Sequence, residues 1–309
     1  MQPSEMKQSK INTSPTQGPF SLADEAAYRV WREAKLADYP QSAAELLIEI
    51  QDGNQLSETE HQSVLERIRK TNIMVYQFAD TAPVDKSVIH NLGCQFGLTH
   101  LDSNLCADDD SITSLQVIPE GRKRGYIPYS NLRISWHTDG YYNDASHQIR
   151  AMLLHCVSDE AQGGETLLMD HEICYIHLRD TNPDYIHALM QPDAMAIPPN
   201  VEQGEEIRAA MSGPVFSVDP VTGQLHMRYT ARTRSIEWHD DPLTQEASQC
   251  ITDFLASDSP YIFRHRLAPG QGVLCNNVLH TRTAFEDDPE GGKTRLLYRA
   301  RYYDRIADS

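Results

Sequence analysis

Residues 132–142 read Leu-Arg-Ile-Ser-Trp-His-Thr-Asp-Gly-Tyr-Tyr. The run Leu132–Asp139 has the composition of a β-strand and is closed by Gly140. Alternate residues of a strand face the same way, so His137 and Asp139 present an imidazole and a carboxylate side by side. Two histidines and one carboxylate on one face of an octahedron form the donor set of non-haem Fe(II), with the opposite face left open. The spacing alone is weak evidence. With 13 histidines and 44 acidic residues in the chain, about two His-x-(Asp/Glu) matches arise by chance. Three occur: His100–Asp102, His137–Asp139 and His239–Asp241. The last precedes Pro242 and a helical stripe, which suits an aspartate N-cap with proline at the first helical position. The first lies in a polar turn, Thr99 to Asn104. Only His137–Asp139 ends a strand.

Outward from this stretch the texture is β-rich. Strands are expected at Ile112–Ile118, Ile149–Val157, Glu165–Asp170, Val215–Val218, Gln224–Tyr229, Tyr261–Leu267, Val273–Asn276 and Arg295–Tyr303. Asp219-Pro220-Val221-Thr222-Gly223 and Pro269-Gly270-Gln271-Gly272 read as hairpin turns. Helices are expected at Glu172–Arg179, Asp184–Met190 and Pro242–Ala256. The first hundred residues are richer in helix. Ala26, Ala27, Val30, Trp31 and Ala34 recur at helical spacing, and Ser57 with Glu60 forms a capping-box pattern. Ile73 to Phe78 is strand-like. Val84, Val88, Ile89, Leu92 and Phe96 make a stripe stopped by Gly97. Many short strands with flanking helices predict a mainly β, α+β fold of the sandwich or jelly-roll kind. Residues 1–19, rich in Ser, Gln, Pro and Thr, read as a disordered tail before a single domain at 20–309.

Composition narrows the function. A net charge of -17 argues against nucleic acid as the main partner. The 40% apolar content allows a sizeable core. Cys94, Cys106, Cys156, Cys174, Cys250 and Cys275 are scattered with no C-x-x-C pair, which fits a reducing cytosol better than a disulfide framework or zinc knuckle. The polar start lacks a signal-peptide core, and no apolar run has membrane-spanning length. The expectation is a cytoplasmic protein that engages a small molecule, with no membrane partner.

Four motifs occur in order: Trp136-His137-Thr138-Asp139, Gly163-Gly164-Glu165-Thr166, Asn277-Val278-Leu279-His280 and Thr294-Arg295-Leu296-Leu297-Tyr298-Arg299. Together they resemble the TauD/TfdA family of dioxygenases, the clavaminate-synthase-like group, across roughly Ser111 to Tyr303. The stretch His280-Thr281-Arg282-Thr283-Ala284-Phe285 is similar to the butyrobetaine-hydroxylase branch. The resemblance implies a double-stranded β-helix (jelly-roll) barrel with Fe(II) held by His137, Asp139 and His280, and no catalytic residue apart from these ligands. It implies 2-oxoglutarate as co-substrate, its far carboxylate gripped by Arg295 and Thr166; a guanidinium fork suits a carboxylate. Arg299, four residues on, projects from the same strand face and meets either the co-substrate or an anionic substrate. The implied reaction consumes O2, releases succinate and CO2, and hydroxylates a C–H bond; the carboxylate ligand disfavours halogenation. The segment Glu286–Gly292 is longer than in taurine dioxygenases and reads as a surface turn that leaves the arginine in place.

The substrate is less determined. Tyr142 matches a pocket aromatic, suited to an ammonium group by cation–π attraction or simply to packing. Arg228, Tyr229 and Arg232 form a second polar cluster, and Arg122, Lys123 and Arg124 lie in a loop, Pro119 to Asn131, of lid-like character. An amine, betaine, amino acid or sulfonate is expected as substrate. The alternatives are a catalytically silent barrel that senses 2-oxoglutarate or metal, and a zinc hydrolase, which would leave Arg295 and Thr166 without a role. Homo-oligomers are common in the family, an analogy only.

Overall fold

The computed structural model describes residues 17–103, 110–118, 127–202, 204–232 and 236–309. Two sheets dominate. The larger has six strands in the order Leu47–Ile50, Ile73–Phe78, Gln271–Cys275, Ala151–Ser158, Leu296–Tyr302 and Thr113–Leu115. Its first pair is parallel and the rest antiparallel. The smaller sheet runs Phe263–His265, Thr166–Met169, Leu279–Arg282 and Ile134–His137, all antiparallel.

Alternation along the large sheet divides the apolar interior in two. Met74, Tyr76, Leu153, Leu274, Ala300 and Tyr302 pack with Val64, Leu65, Ile68, Ile89 and Leu92 of the helices Glu58–Thr71 and Lys86–Cys94. The intervening residues Ile73, Val75, Met152, Leu154, Val273 and Leu297 join Trp136, Leu167 and Leu279 of the small sheet in a second core. On the strand Leu296–Tyr302 the same period puts Leu297, Arg299 and Arg301 on the face toward the small sheet. Gly272 makes the central crossing possible, because a Cβ there would lie 2.2 Å from the Tyr76 ring and 2.3 Å from the Leu154 carbonyl.

Several sequence expectations hold closely. The Ser57 hydroxyl caps its helix by accepting from Glu60 N, and the Glu60 carboxylate accepts from Ser57 N at 2.7 Å. Asp241 caps Pro242–Ala256 through Thr244 N at 3.0 Å. Ile73–Phe78 is a strand as read. The run expected at Leu132–Asp139 is shorter, Ile134–His137, because Asp139 already turns at Gly140. The first helix forms over Glu25–Leu36, but its buried face differs from the expected stripe: Val30 is 71% exposed, whereas Tyr28 and Lys35 are buried. Lys35 is drawn inward by Asp170 and Glu172 at 2.7 and 2.5 Å, and Arg179 covers the Tyr28 ring.

Of the expected tail, residues 1–16 lie outside the described residues; Gly18 N donates to Asp24 and Pro19 O accepts from Arg179. The basic run Arg122–Arg124 also lies outside them. Among the described residues no helix is long and apolar enough to cross a membrane.

Candidate metal centre

The small sheet places His280 directly across from His137, in register on neighbouring strands. Their rings stand 4.2 Å apart at 49°, and the donor atoms of His137, Asp139 and His280 all lie within 4.8 Å of one another. Each Nδ1 is 2.9 Å from a backbone carbonyl two residues earlier, Ser135 for His137 and Val278 for His280. A carbonyl only accepts, so both Nδ1 atoms carry the proton and both Nε2 atoms keep a lone pair. Asp139 Oδ2 is buried with no hydrogen-bond partner among the described residues.

Protonation matches this arrangement. Burial, reinforced by neighbouring His280, brings His137 down to about 3, and burial also lowers His280. Burial alone would raise Asp139, but Arg299 and Arg301 more than offset it and hold the carboxyl below the usual carboxylate range. Two neutral imidazoles and one carboxylate are the state in which such a trio binds a divalent metal. The residues fit an iron ion.

Asn277 fixes the third ligand. Its Oδ1 accepts from Asp139 N at 2.8 Å, and its Nδ2 donates to the carbonyls of Asp139 and Ile149 at 2.9 and 2.6 Å. Thr138 is held on its other side by Tyr229, N to O at 2.9 Å.

A cavity opens beside the histidines, lined by Thr166, Arg282, Arg295 and Arg299 together with Leu115, Met152, Leu154 and Leu297. Thr166, Arg295 and Arg299 thus line one cavity together with both histidines. Arg299 Nη1 lies 3.4 Å from Asp139 Oδ1, at the metal end. Arg295 lies over the Phe285 ring at 5.1 Å, with its Nε 3.3 Å from Glu160. Arg282 lies 4.7 Å from the same ring and donates to the carbonyls of Ser130 and Leu132. Burial, then the charge of Arg295, pushes Arg282 down to about 9.

Glu160 and Arg282 carried no role in the sequence reading. The signal for Glu160 was the Gly163-Gly164 pair: Gly164 has φ +70, and a Cβ on it would sit 1.8 Å from the Glu160 carboxylate. The Glu286–Gly292 segment is an exposed turn closed by backbone pairing of Asp288 with Lys293.

Two other expected residues lie apart from the cavity lining. Tyr142 meets Tyr141 edge-on at 5.1 Å, and Tyr141 meets the His137 ring at 6.4 Å. The Tyr142 hydroxyl accepts from Arg301 at 3.1 Å. Arg228 is buried and donates to the carbonyls of Tyr141, Met195, Gly213 and Pro214, so it ties down the chain beyond Asp139. Of the other His-x-Asp pairs, His239 faces Asp193 at 3.2 Å and His100 faces Asp304 at 2.8 Å.

Comparison with known proteins agrees with this geometry. Residues 75–301 match the family model described as taurine catabolism dioxygenase TauD, TfdA family. A uridine-5′-phosphate dioxygenase of an Amycolatopsis species is 34% identical over 172 residues, 54% of this chain and 60% of that protein. A trimethyllysine dioxygenase of Meyerozyma guilliermondii is 28% identical over 178 residues, 54% of this chain and 42% of that protein. The match thus spans less than two thirds of either relative's length. An asparagine oxygenase solved with Fe(II), 3-hydroxyasparagine and succinate shares the fold at TM-score 0.57 and 15% identity, over 80% of each chain.

Proposed function

The chain belongs to the TauD/TfdA family, and from that premise we propose that it is an Fe(II)- and 2-oxoglutarate-dependent dioxygenase hydroxylating a C–H bond of a small molecule. The observation that carries the reading is a trio of metal donors in the correct protonation state, opening onto an arginine-lined cavity. His137 and His280 would give their Nε2 lone pairs, and Asp139 a carboxylate oxygen. Arg295 and Thr166 would bind the far carboxylate of 2-oxoglutarate, and Arg299 would neutralise charge nearer the metal. The bound iron and keto acid supply the oxidising chemistry: one O2 yields succinate, CO2 and a hydroxylated substrate. The protein's own task is to hold these groups in register, keep both histidines neutral and line the cavity with apolar side chains.

The two facing sheets support reading residues 20–309 as one double-stranded β-helix domain, preceded by a tail. The silent-sensor alternative has no observation in its favour, since the His137–Asp139–His280 trio is intact and Arg295 lines the adjoining cavity. The names of the relatives point the substrate search to nucleoside phosphates and to amino acids, including methylated lysine. The test has two steps. Adding Fe(II) and 2-oxoglutarate without oxygen should give a weak visible charge-transfer band. Oxygen with uridine-5′-phosphate, trimethyllysine, asparagine or taurine should then release succinate above the substrate-free rate. A folded protein that gives no band refutes the proposal.

A further inference from the structure

Asp102, half of a His-x-Asp pair outside the metal centre, is buried on the flank of the strand Leu296–Tyr302. Its amide donates to the Arg301 carbonyl at 2.8 Å. One carboxylate oxygen accepts from Arg301 Nη2 and the other from the Tyr303 hydroxyl at 2.7 Å. Arg301, itself 4% exposed, turns its other nitrogen toward the metal centre. Nη1 donates to the Tyr142 hydroxyl at 3.1 Å and stands 3.7 Å from Asp139 Oδ1, outside hydrogen-bond range.

This arrangement solves a charge problem. A buried guanidinium with no other anion would close on Asp139 and compete with a metal for its oxygens. Arg299 already sits on that carboxylate at 3.4 Å. Asp102 draws Arg301 the other way, so the guanidinium braces the Asp139 carboxylate from 3.7 Å without a hydrogen bond to its Oδ1. The Tyr142 hydroxyl fixes the remaining arm.

Resting on the metal-centre reading above, we propose that Arg301 is a positioning residue for the iron ligand Asp139, and that Asp102 acts on the metal only through Arg301. Groups that orient metal ligands from outside typically contribute about 10–100-fold in metal affinity. The experiment is an anaerobic titration of metal-free protein with Co(II), followed by its visible absorption, alongside the thermal midpoint without metal. Arg301→Met and Asp102→Asn should each weaken Co(II) binding by about tenfold, within that range. The double variant Asp102→Asn/Arg301→Met should bind no more weakly than Arg301→Met alone, because the two positions form one unit.

Additive losses in the double variant would overturn the proposal, as would unchanged affinity in both single variants. A purely structural role would lower the metal-free midpoint and leave affinity at wild type. Should Arg301→Met fail to fold, Arg301→Lys takes its place; its single ammonium cannot span Asp102 and Tyr142, so the same loss is expected. Failure of the wild-type protein to bind Co(II) would refute the metal-centre reading itself. Binding by wild type with unaffected variants refutes the role of Arg301 alone.

Discussion

Arg295 sits between two claims on its charge. Within the protein it lies 3.3 Å from Glu160, and it lines the cavity where a co-substrate carboxylate would enter. Burial lowers its affinity for its proton while Glu160 opposes that effect. Hydrogen bonds to charged groups are worth about 1.5–3 kcal/mol, so removing the fork should raise the 2-oxoglutarate requirement by roughly 10–150-fold. Arg295→Ala is therefore expected to need far more 2-oxoglutarate for half-maximal succinate release while binding Co(II) nearly as wild type. An unchanged requirement would move the clamp to Arg299 or Arg282. At this scale the sequence was informative where a residue's type and its motif neighbours coincided, as for His137, Asp139, His280, Thr166 and Arg295. It gave no role to Asn277, Glu160 or Asp102, whose roles depend on partners far along the chain: Asn277 meets Asp139 across 138 residues and Asp102 meets Arg301 across 199.

The element that positions Asp139 is the turn linking Gln271–Cys275 in the large sheet to Leu279–Arg282 in the small one. Asn277 sits in it with φ 46, left-handed backbone that asparagine tolerates better than most residues. Asn277→Ala would lose three hydrogen bonds and leave Asp139 N buried without a partner, a penalty of about 1–3 kcal/mol for that group alone. Backbone strain adds about 1–2 kcal/mol. Asn277→Gly removes the strain but not the lost bonds. Urea unfolding should thus rank wild type above Gly and Gly above Ala, and both variants should bind Co(II) more weakly. An alanine variant as stable as wild type would contradict the clamp. Strands with strong β composition, such as Ile73–Phe78, were legible in advance. Leu47–Ile50 and the small strands between Met195 and Gly213 were not, because each is only three or four residues long and defined by its pairing partners rather than by its own pattern.

Across the whole molecule, the interior holds several histidines in the neutral form. Burial brings His155 down to about 4 and, reinforced by nearby His171 and Arg150, brings His226 down to about 3; burial also lowers His171. His137 and His280 behave alike at the metal centre. The unfolded chain regains the ordinary value of 6.5 at each position. Below that pH the unfolded state takes up protons that the folded state refuses, so the folded protein loses stability as pH falls from about 6.5 toward 3. Above 6.5 both states are neutral and the effect vanishes. Each such histidine contributes a slope of about 1.4 kcal/mol per pH unit once its unfolded form is fully protonated. Carboxylates with lowered values, such as Asp219 at about 2 and Asp139, act only at more acid pH, so the interval from 6.5 to 5 isolates the histidines. Urea unfolding of the metal-free protein should therefore show stability level between pH 8 and 7 and falling steeply between 6 and 5. His155→Gln, away from the metal centre, should reduce that slope by about one histidine's share. Stability independent of pH between 7 and 5 would mean that these imidazoles accept protons in the folded state, and that the ligand pair is not held neutral by burial.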